Sequence, residues 1–404
     1  MLPGAHEGGG EVQNNRVSFV LFLLAAITFA PLPAACEETF DIDVVLPLTG
    51  RTSFLGQAEQ KALQILERIA NKTGGIHGKP LRFIFHDDQS SPQVAVQLTS
   101  AIAAAKPPVM MGSAQVAMCN AMAPLLQNGP VTYCFSPGIH PKAGAYVFTS
   151  SVSTHDLAAA LIRYFRMKGW TKIALMTTTD ASGQDAERGI QEVLSRPENA
   201  TIKLVENVHF NPSDVSVAAQ IERIRAATPD AFIAWTTGAP VATVFKGVTQ
   251  AGLELPVATT DGNMTHAQMA QYADFLPKEL YIPASQWAEL GRGEAGNPAV
   301  TKAQQIFAEA YKDANLLPDA PASLAWDPAT ILIETLRTLP EKAGASDIRD
   351  HISKLQGFSG INGVYDFPKV PQRGVGETDA VVTRWNPAAK VWDVVSKPAG
   401  IPKP

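Results

Sequence analysis

His86-Asp87-Asp88 places an imidazole beside two carboxylates at the end of an apolar strand, a grouping able to bind a metal ion or move a proton. Its position between a strand and a helix gives those carboxylates another use. Aspartates in such turns accept hydrogen bonds from backbone N–H groups, and that structural use is expected for Asp87 and Asp88. Asp180, in Thr179-Asp180-Ala181-Ser182-Gly183, has the same two readings, and a role in a binding cleft stays open for it. Other catalytic signals are missing. The chain carries no G-x-S-x-G elbow, no G-x-G-x-x-G in the turn after a strand, no Walker-type loop, no H-E-x-x-H and no C-x-x-C. Its eight histidines are scattered without metal-ligand spacing. A binding protein without metal or cofactor, and not an enzyme, is the expectation.

The elements that must position any site are numerous. A chain of 404 residues exceeds one ordinary domain, and 46% hydrophobic with 18% charged residues supports a sizeable core. A formal net charge of −5 leaves no basic footprint for nucleic acid or anionic lipid. From Phe40 onward, strand-like runs alternate with helical patterns. Phe40–Leu46 reads as a strand, and the segment 57–71 sets Ala58, Ala62, Ile65, Leu66 and Ile69 on one helical face. Strands follow at Leu81–Phe85, 109–111, 131–135 and 146–148, with Ser91 capping a helix that has Pro92 at its first position. A helix is expected over 116–127. A second set begins near Thr154, with strands at 172–177, 203–209, 231–235 and 255–259 and helices over 185–194, 214–227 and around Val241 to Val248. Such alternation implies parallel sheets flanked by helices, in two Rossmann-like lobes with a cleft between them. Ligands of open α/β sheets bind beyond the carboxyl ends of the strands, so function is sought there.

The N-terminus points to export. Arg16 precedes the apolar run Val17–Ala30, and Ala34-Ala35-Cys36 follows, the layout of a secretory signal too short for a comfortable membrane span. Cleavage before Cys36 for lipidation and ordinary cleavage near Ala34 or Cys36 both remain open. Pro33 stands where a lipoprotein signal usually has leucine. The mature protein is expected in the periplasm, free or lipid-tethered through Cys36. That compartment permits disulfides, and Cys119 with Cys134 is the expected pair; two buried free thiols are the alternative.

Several strings carry a family resemblance. Leu46-Pro47-Leu48-Thr49-Gly50, Gly56, Asn71–Lys79 and Asp87–Pro92 are similar to the leucine/isoleucine/valine-type periplasmic solute-binding proteins of ABC transporters. Ser136-Pro137-Gly138, Gln250–Leu253 and Ala325-Trp326-Asp327 extend the likeness over nearly the whole mature chain. The resemblance implies a Venus-flytrap shape with three inter-lobe crossovers near Ser151, Pro283 and Ala380. Residues 1–36 would be a leader, 37–151 with 284–379 the N-terminal lobe, and 152–283 with 380–404 the C-terminal lobe. It also implies an ABC importer's permease subunits as partners, with the membrane reached only through them or a lipid anchor.

Site residues follow from the same resemblance. The loops at Gln115-Val116-Ala117 and Ser136–His140, with Gly138, would bind a ligand carboxylate, and His140 stands where the family usually has threonine. Thr237 and Asp261 would face the ligand from the second lobe, Asp261 toward an ammonium. The family's aromatic clamps are replaced by Leu55 and Ser182, and Phe54 or Trp235 could substitute for them. The implied ligand is an amino acid or another small, possibly aromatic, carboxylate. A periplasmic sensor that signals to a membrane receptor is the alternative on the same fold.

Overall fold

Parallel strands covered on both faces need apolar residues throughout, and β1 (Phe40–Leu46) shows why this chain builds them: Ile42, Val44, Val45 and Leu46 are all fully buried. The computed structural model describes residues 8–10, 38–290 and 297–404. The secretory signal read between Arg16 and Cys36 lies outside the described residues. Among the described residues, no helix is long and apolar enough to cross a membrane.

The first sheet has the order β2-β1-β3-β4-β5, adding β2 (Leu81–Asp87), β3 (Val109–Gly112), β4 (Val131–Cys134) and β5 (Val147–Thr149), all parallel. Helices α1 (Ser53–Lys72), α2 (Pro92–Ala104) and α3 (Val116–Met122) connect its strands. Helix α4 (Thr154–Met167) opens the second set and packs on the second sheet. That sheet comprises β6 (Lys172–Thr178), β7 (Lys203–Phe210), β8 (Ala231–Trp235), β9 (Val257–Ala258) and β10 (Leu280–Ser285), linked by α5 (Ala181–Leu194), α6 (Ala218–Ala226), α7 (Pro240–Gln250) and α8 (His266–Gln271). Its parallel part, β7-β6-β8-β9-β10, repeats the connectivity of the first sheet.

The chain then returns. After α9 (Pro298–Asp313), α10 (Ala320–Thr338) packs along α1, and α11 (Ala345–Ser353) reaches β4. The hairpin β11 (Gln356–Ser359) and β12 (Val364–Asp366) follows. Finally β13 (Ala380–Asn386) and β14 (Val391–Val394) add antiparallel strands to the second sheet beside β10. The chain thus passes between the sheets three times, after β5, after β10 and before β13.

Buried polar groups fix these crossings. Asp327 on α10 is fully enclosed and accepts from Ile361 N, Asn362 N, Asn362 Nδ2 and the Tyr365 hydroxyl, each at 2.9 Å. Asn362 also bonds Ser285, the last residue of β10, tying the second crossing to α10. Gln286 Nε2 donates to Asp379 Oδ1 at 3.2 Å, joining the second crossing to the third. At the first, the buried Arg373 guanidinium donates to the carbonyls of Ser150 (3.2 Å) and Ser151 (3.0 Å). Its other arm reaches the carbonyls of Pro137 (3.0 Å) and Ile139 (2.7 Å).

Several expected boundaries move: the helix read over 57–71 spans Ser53–Lys72, the strand read at 255–259 is Val257–Ala258, and three others move for local reasons. The helix expected from residue 214 starts at Ala218, because Asn211 and Asp214 bond to each other's neighbourhood first: Asp214 Oδ2 accepts from Asn211 N and Asn211 Oδ1 from Ser213 N. The helix expected from 185 starts at Ala181, capped by Asp180, whose Oδ1 accepts from Gly183 N at 3.1 Å. Gly183 sits so close to β6 that a Cβ there would lie 1.9 Å from Thr178 O. The helix expected over 116–127 turns to 3-10 geometry from Ala123, where Pro124 follows.

Cys119 on α3 and Cys134 at the end of β4 form a disulfide, with Cα atoms 6.2 Å apart and 15 residues of separation. Closing a loop of that size contributes roughly 3 kcal/mol on the chain-entropy account. The double variant Cys119→Ala/Cys134→Ala should therefore lose about that much in urea unfolding. Unchanged stability would show that the bridge contributes nothing.

Candidate functional site

The ends of equivalent strands in the two sheets converge on one narrow cavity. Leu55 comes from the start of α1, after β1. Ala114, Gln115 and Val116 follow β3, and Ser136, Pro137 and Gly138 follow β4. The opposite wall repeats the plan, with Ser182 after β6, Trp235 and Thr237 at and beyond the end of β8, and Thr260, Asp261 and Gly262 after β9. Thr154 at the start of α4 and Leu324 on α10 complete it. The two walls touch beside the cavity, where Ala239 N donates to Arg51 O at 3.1 Å.

The chemistry of the walls differs. The first-sheet wall offers hydroxyls and backbone from Ser136 to Gly138, with Thr154 at the N-terminus of α4, whose dipole favours an anion. Gln115 is held in place by Thr52, whose Oγ1 lies 3.3 Å from Gln115 Oε1. Among the described residues, no lysine, arginine or histidine lines the cavity. On the second-sheet wall Asp261 is 5% exposed. Its Oδ1 accepts from Thr260 Oγ1 and Gly262 N, both at 2.9 Å, and no side chain among the described residues donates to Oδ2. Burial pushes the Asp261 carboxyl up to about 6, against the pull of those two donors and of its own backbone N–H. Trp235 and Leu55 are 2% exposed and give the space apolar sides.

Of the residues that sequence reasoning assigned to a site, Leu55, Gln115, Val116, Gly138, Ser182, Thr237 and Asp261 line this cavity; Phe54, Ala117 and His140 do not. Phe54 and Ala117 are helical neighbours of Leu55 and Val116, and one step along a helix turns a side chain about 100° away. His140 turns from the cavity to Asp185 on α5, with Nε2 3.0 Å from Oδ1. Thr154 and Leu324 carried no signal in the sequence beyond helical patterning.

The remaining acidic groups have structural work. Asp87 accepts from Leu48 N, Thr49 N, Thr49 Oγ1 and Gln89 N, and Asp88 from Ser90 N and Ser113 Oγ. The histidines are less scattered in space than in sequence, since His140, His155 and Asp185 converge. Burial alone would raise the Asp185 pKa, but the two imidazoles outweigh it and hold the carboxyl far below its usual range.

A family model described as periplasmic binding protein matches residues 39–390. No curated protein matches the chain. Among solved structures, an extracellular ligand-binding receptor from Rhodopseudomonas palustris HaA2 superposes with a TM-score of 0.78 at 19% identity, covering 89% of this chain and 100% of that one. The branched-chain amino acid transporter substrate binding protein LivJ from Streptococcus pneumoniae, in complex with isoleucine, gives 0.74 at 19% identity, covering 89% and 99%. A solute binding protein of an ABC transporter from R. palustris, in complex with benzoate, gives 0.73 at 17% identity, covering 90% and 97%. At these identities the likeness is one of fold.

Proposed function

The chain belongs to the periplasmic binding protein family, and from that premise we propose that it is the extracytoplasmic solute-binding component of an ABC importer, taking a small carboxylate into the cavity between its lobes. The observation that carries this reading is the polarity of the cavity. Neutral donors lie on one wall with the N-terminus of α4 beside them, and a buried carboxylate whose Oδ2 takes no side-chain donor faces them from the other. A zwitterion satisfies both walls at once. Its carboxylate takes the donors of Ser136 and Gly138 and the Thr154 hydroxyl, and its ammonium takes Asp261 Oδ2. The side chain then packs against Leu55, Trp235 and Leu324. An amino acid with an apolar side chain is therefore the ligand that uses every group, and bound ligand draws the two lobes together for presentation to permease subunits.

Lobes that close on a ligand are stabilised by it. A thermal-shift screen of amino acids and aromatic carboxylates should find a binder, because ligand at a hundredfold excess over Kd stabilises the fold by about 2.7 kcal/mol. Hits confined to apolar amino acids support the zwitterion. Hits confined to amine-free aromatic acids replace it with a bare carboxylate, and no hit in either class removes the assignment of the cavity to carboxylates.

A further inference from the structure

We propose that His140, His155 and Asp185 form a binding site for a zinc-class divalent cation that clamps the two lobes beside the cleft. His140 stands on the loop between β4 and β5 of the first sheet, whereas His155 and Asp185 stand on α4 and α5, which pack on the second. Nε2 of His140 and Nε2 of His155 lie 3.0 and 3.4 Å from the same Asp185 oxygen, and the three donor atoms all fall within 4.8 Å of one another. Donors bound to one zinc ion at about 2.0–2.2 Å stand roughly 3.0–3.5 Å apart in tetrahedral geometry. The spacing fits a shared ion without rebuilding the backbone.

Two further features point to a ligand. Asp185 is 1% exposed, yet its Oδ2 has no hydrogen-bond partner among the described residues, and the buried Nε2 of His155 has only the long 3.4 Å contact with Asp185 Oδ1. The two imidazole rings stand 4.4 Å apart, and imidazole nitrogens are common ligands for such an ion. Glu192 then supplies what metal-binding histidines commonly have behind them: its Oε2 lies 3.2 Å from His155 Nδ1, fixing the tautomer that leaves Nε2 free for metal. Arg188 is the competitor, with Nη2 3.2 Å from Asp185 Oδ1, but its side chain is 62% exposed and free to swing into solvent. Nitrogen and carboxylate donors with an open position suit zinc and its transition-metal neighbours rather than calcium or magnesium.

The titration needs no organic ligand, so its outcome is independent of the importer reading. Tag-free protein stripped by chelator is titrated with Zn²⁺ by calorimetry, and small-angle scattering follows its radius of gyration. The expected result is one Zn²⁺ per chain and a smaller radius on loading. His140→Ala and His155→Ala should each weaken binding by at least about tenfold, and Glu192→Gln by about 10–100-fold. His140→Ala should also abolish the compaction, since the two remaining ligands belong to one lobe. Absence of Zn²⁺ binding to the wild type, or binding unchanged in both histidine variants, would overturn the site. Binding without compaction would overturn the clamp.

Discussion

Arg373→Met should lower the stability of the protein by about 3–5 kcal/mol and weaken ligand binding together with it, the range expected when one partner leaves a buried charged network. Methionine matches much of the length of the arginine stem but donates nothing. Four carbonyls then lose a donor, those of Ser150 and Ser151 at the first crossing and those of Pro137 and Ile139 on either side of Gly138, with only Pro137 keeping another, Thr154 N, among the described residues. Burial lowers the Arg373 pKa to about 10, partly offset by Asp156 and Asp185, so the group stays charged at neutral pH. One guanidinium therefore joins the hinge to the loop that lines the cavity. Arg373→Lys should recover only part of the loss, because a single ammonium cannot span both pairs of acceptors as the planar fork does. Urea unfolding gives the stability, and calorimetry with a ligand found by the screen gives the affinity. A stability within about 1 kcal/mol of wild type would mean that the carbonyls find other partners and that Arg373 does not hold the hinge.

Arg373 also shows where reading the sequence stops. Its acceptors lie 222 to 236 residues away, and no local pattern marks such a pairing. What was legible is what periodicity and turn chemistry carry. The buried strands, Ser91 as a cap before Pro92, and Asp87 and Asp88 as turn acceptors all follow from neighbours in sequence. The loops after the strands were legible too, because an α/β sheet offers its ligand that edge. Facing was not: whether Leu55 or Phe54 meets the cavity depends on the helix phase that packing sets. His140 is the sharper case. Its place near Gly138 suggested a donor to ligand, but Asp185 lies 45 residues away on a helix of the other sheet, a pairing that no local pattern marks.

Asp261→Asn should separate ligand classes by at least about thirtyfold in affinity. Removing one partner of a buried, hydrogen-bonded charge pair costs roughly 2–5 kcal/mol. Asparagine keeps an oxygen for Thr260 and Gly262 but puts an NH₂ where Oδ2 stood, so an amino acid meets a donor where its ammonium needs an acceptor. An aromatic acid without an amine loses nothing by the change. The pH dependence follows from the raised pKa, about 6, and burial as its cause. Above pH 6 the free carboxyl is ionised and ready to pair with an ammonium. Below it, a proton must leave before the pair forms, so wild-type affinity for an amino acid should fall by up to about tenfold per pH unit. For the ligand-free protein the sign is opposite. A carboxyl whose folded pKa exceeds its unfolded value of 3.8 favours the folded state most at low pH, and that contribution is lost as pH rises from about 4 through 6. Asp261→Asn has no such titration, so it should gain stability relative to wild type at pH 8 and lose that advantage at pH 4. Calorimetry at pH 5 and pH 8, paired with urea unfolding at pH 4 and pH 8, reads both effects. An amino acid that binds the variant as tightly as the wild type would remove its ammonium from Asp261, whatever the fold of the lobes around it.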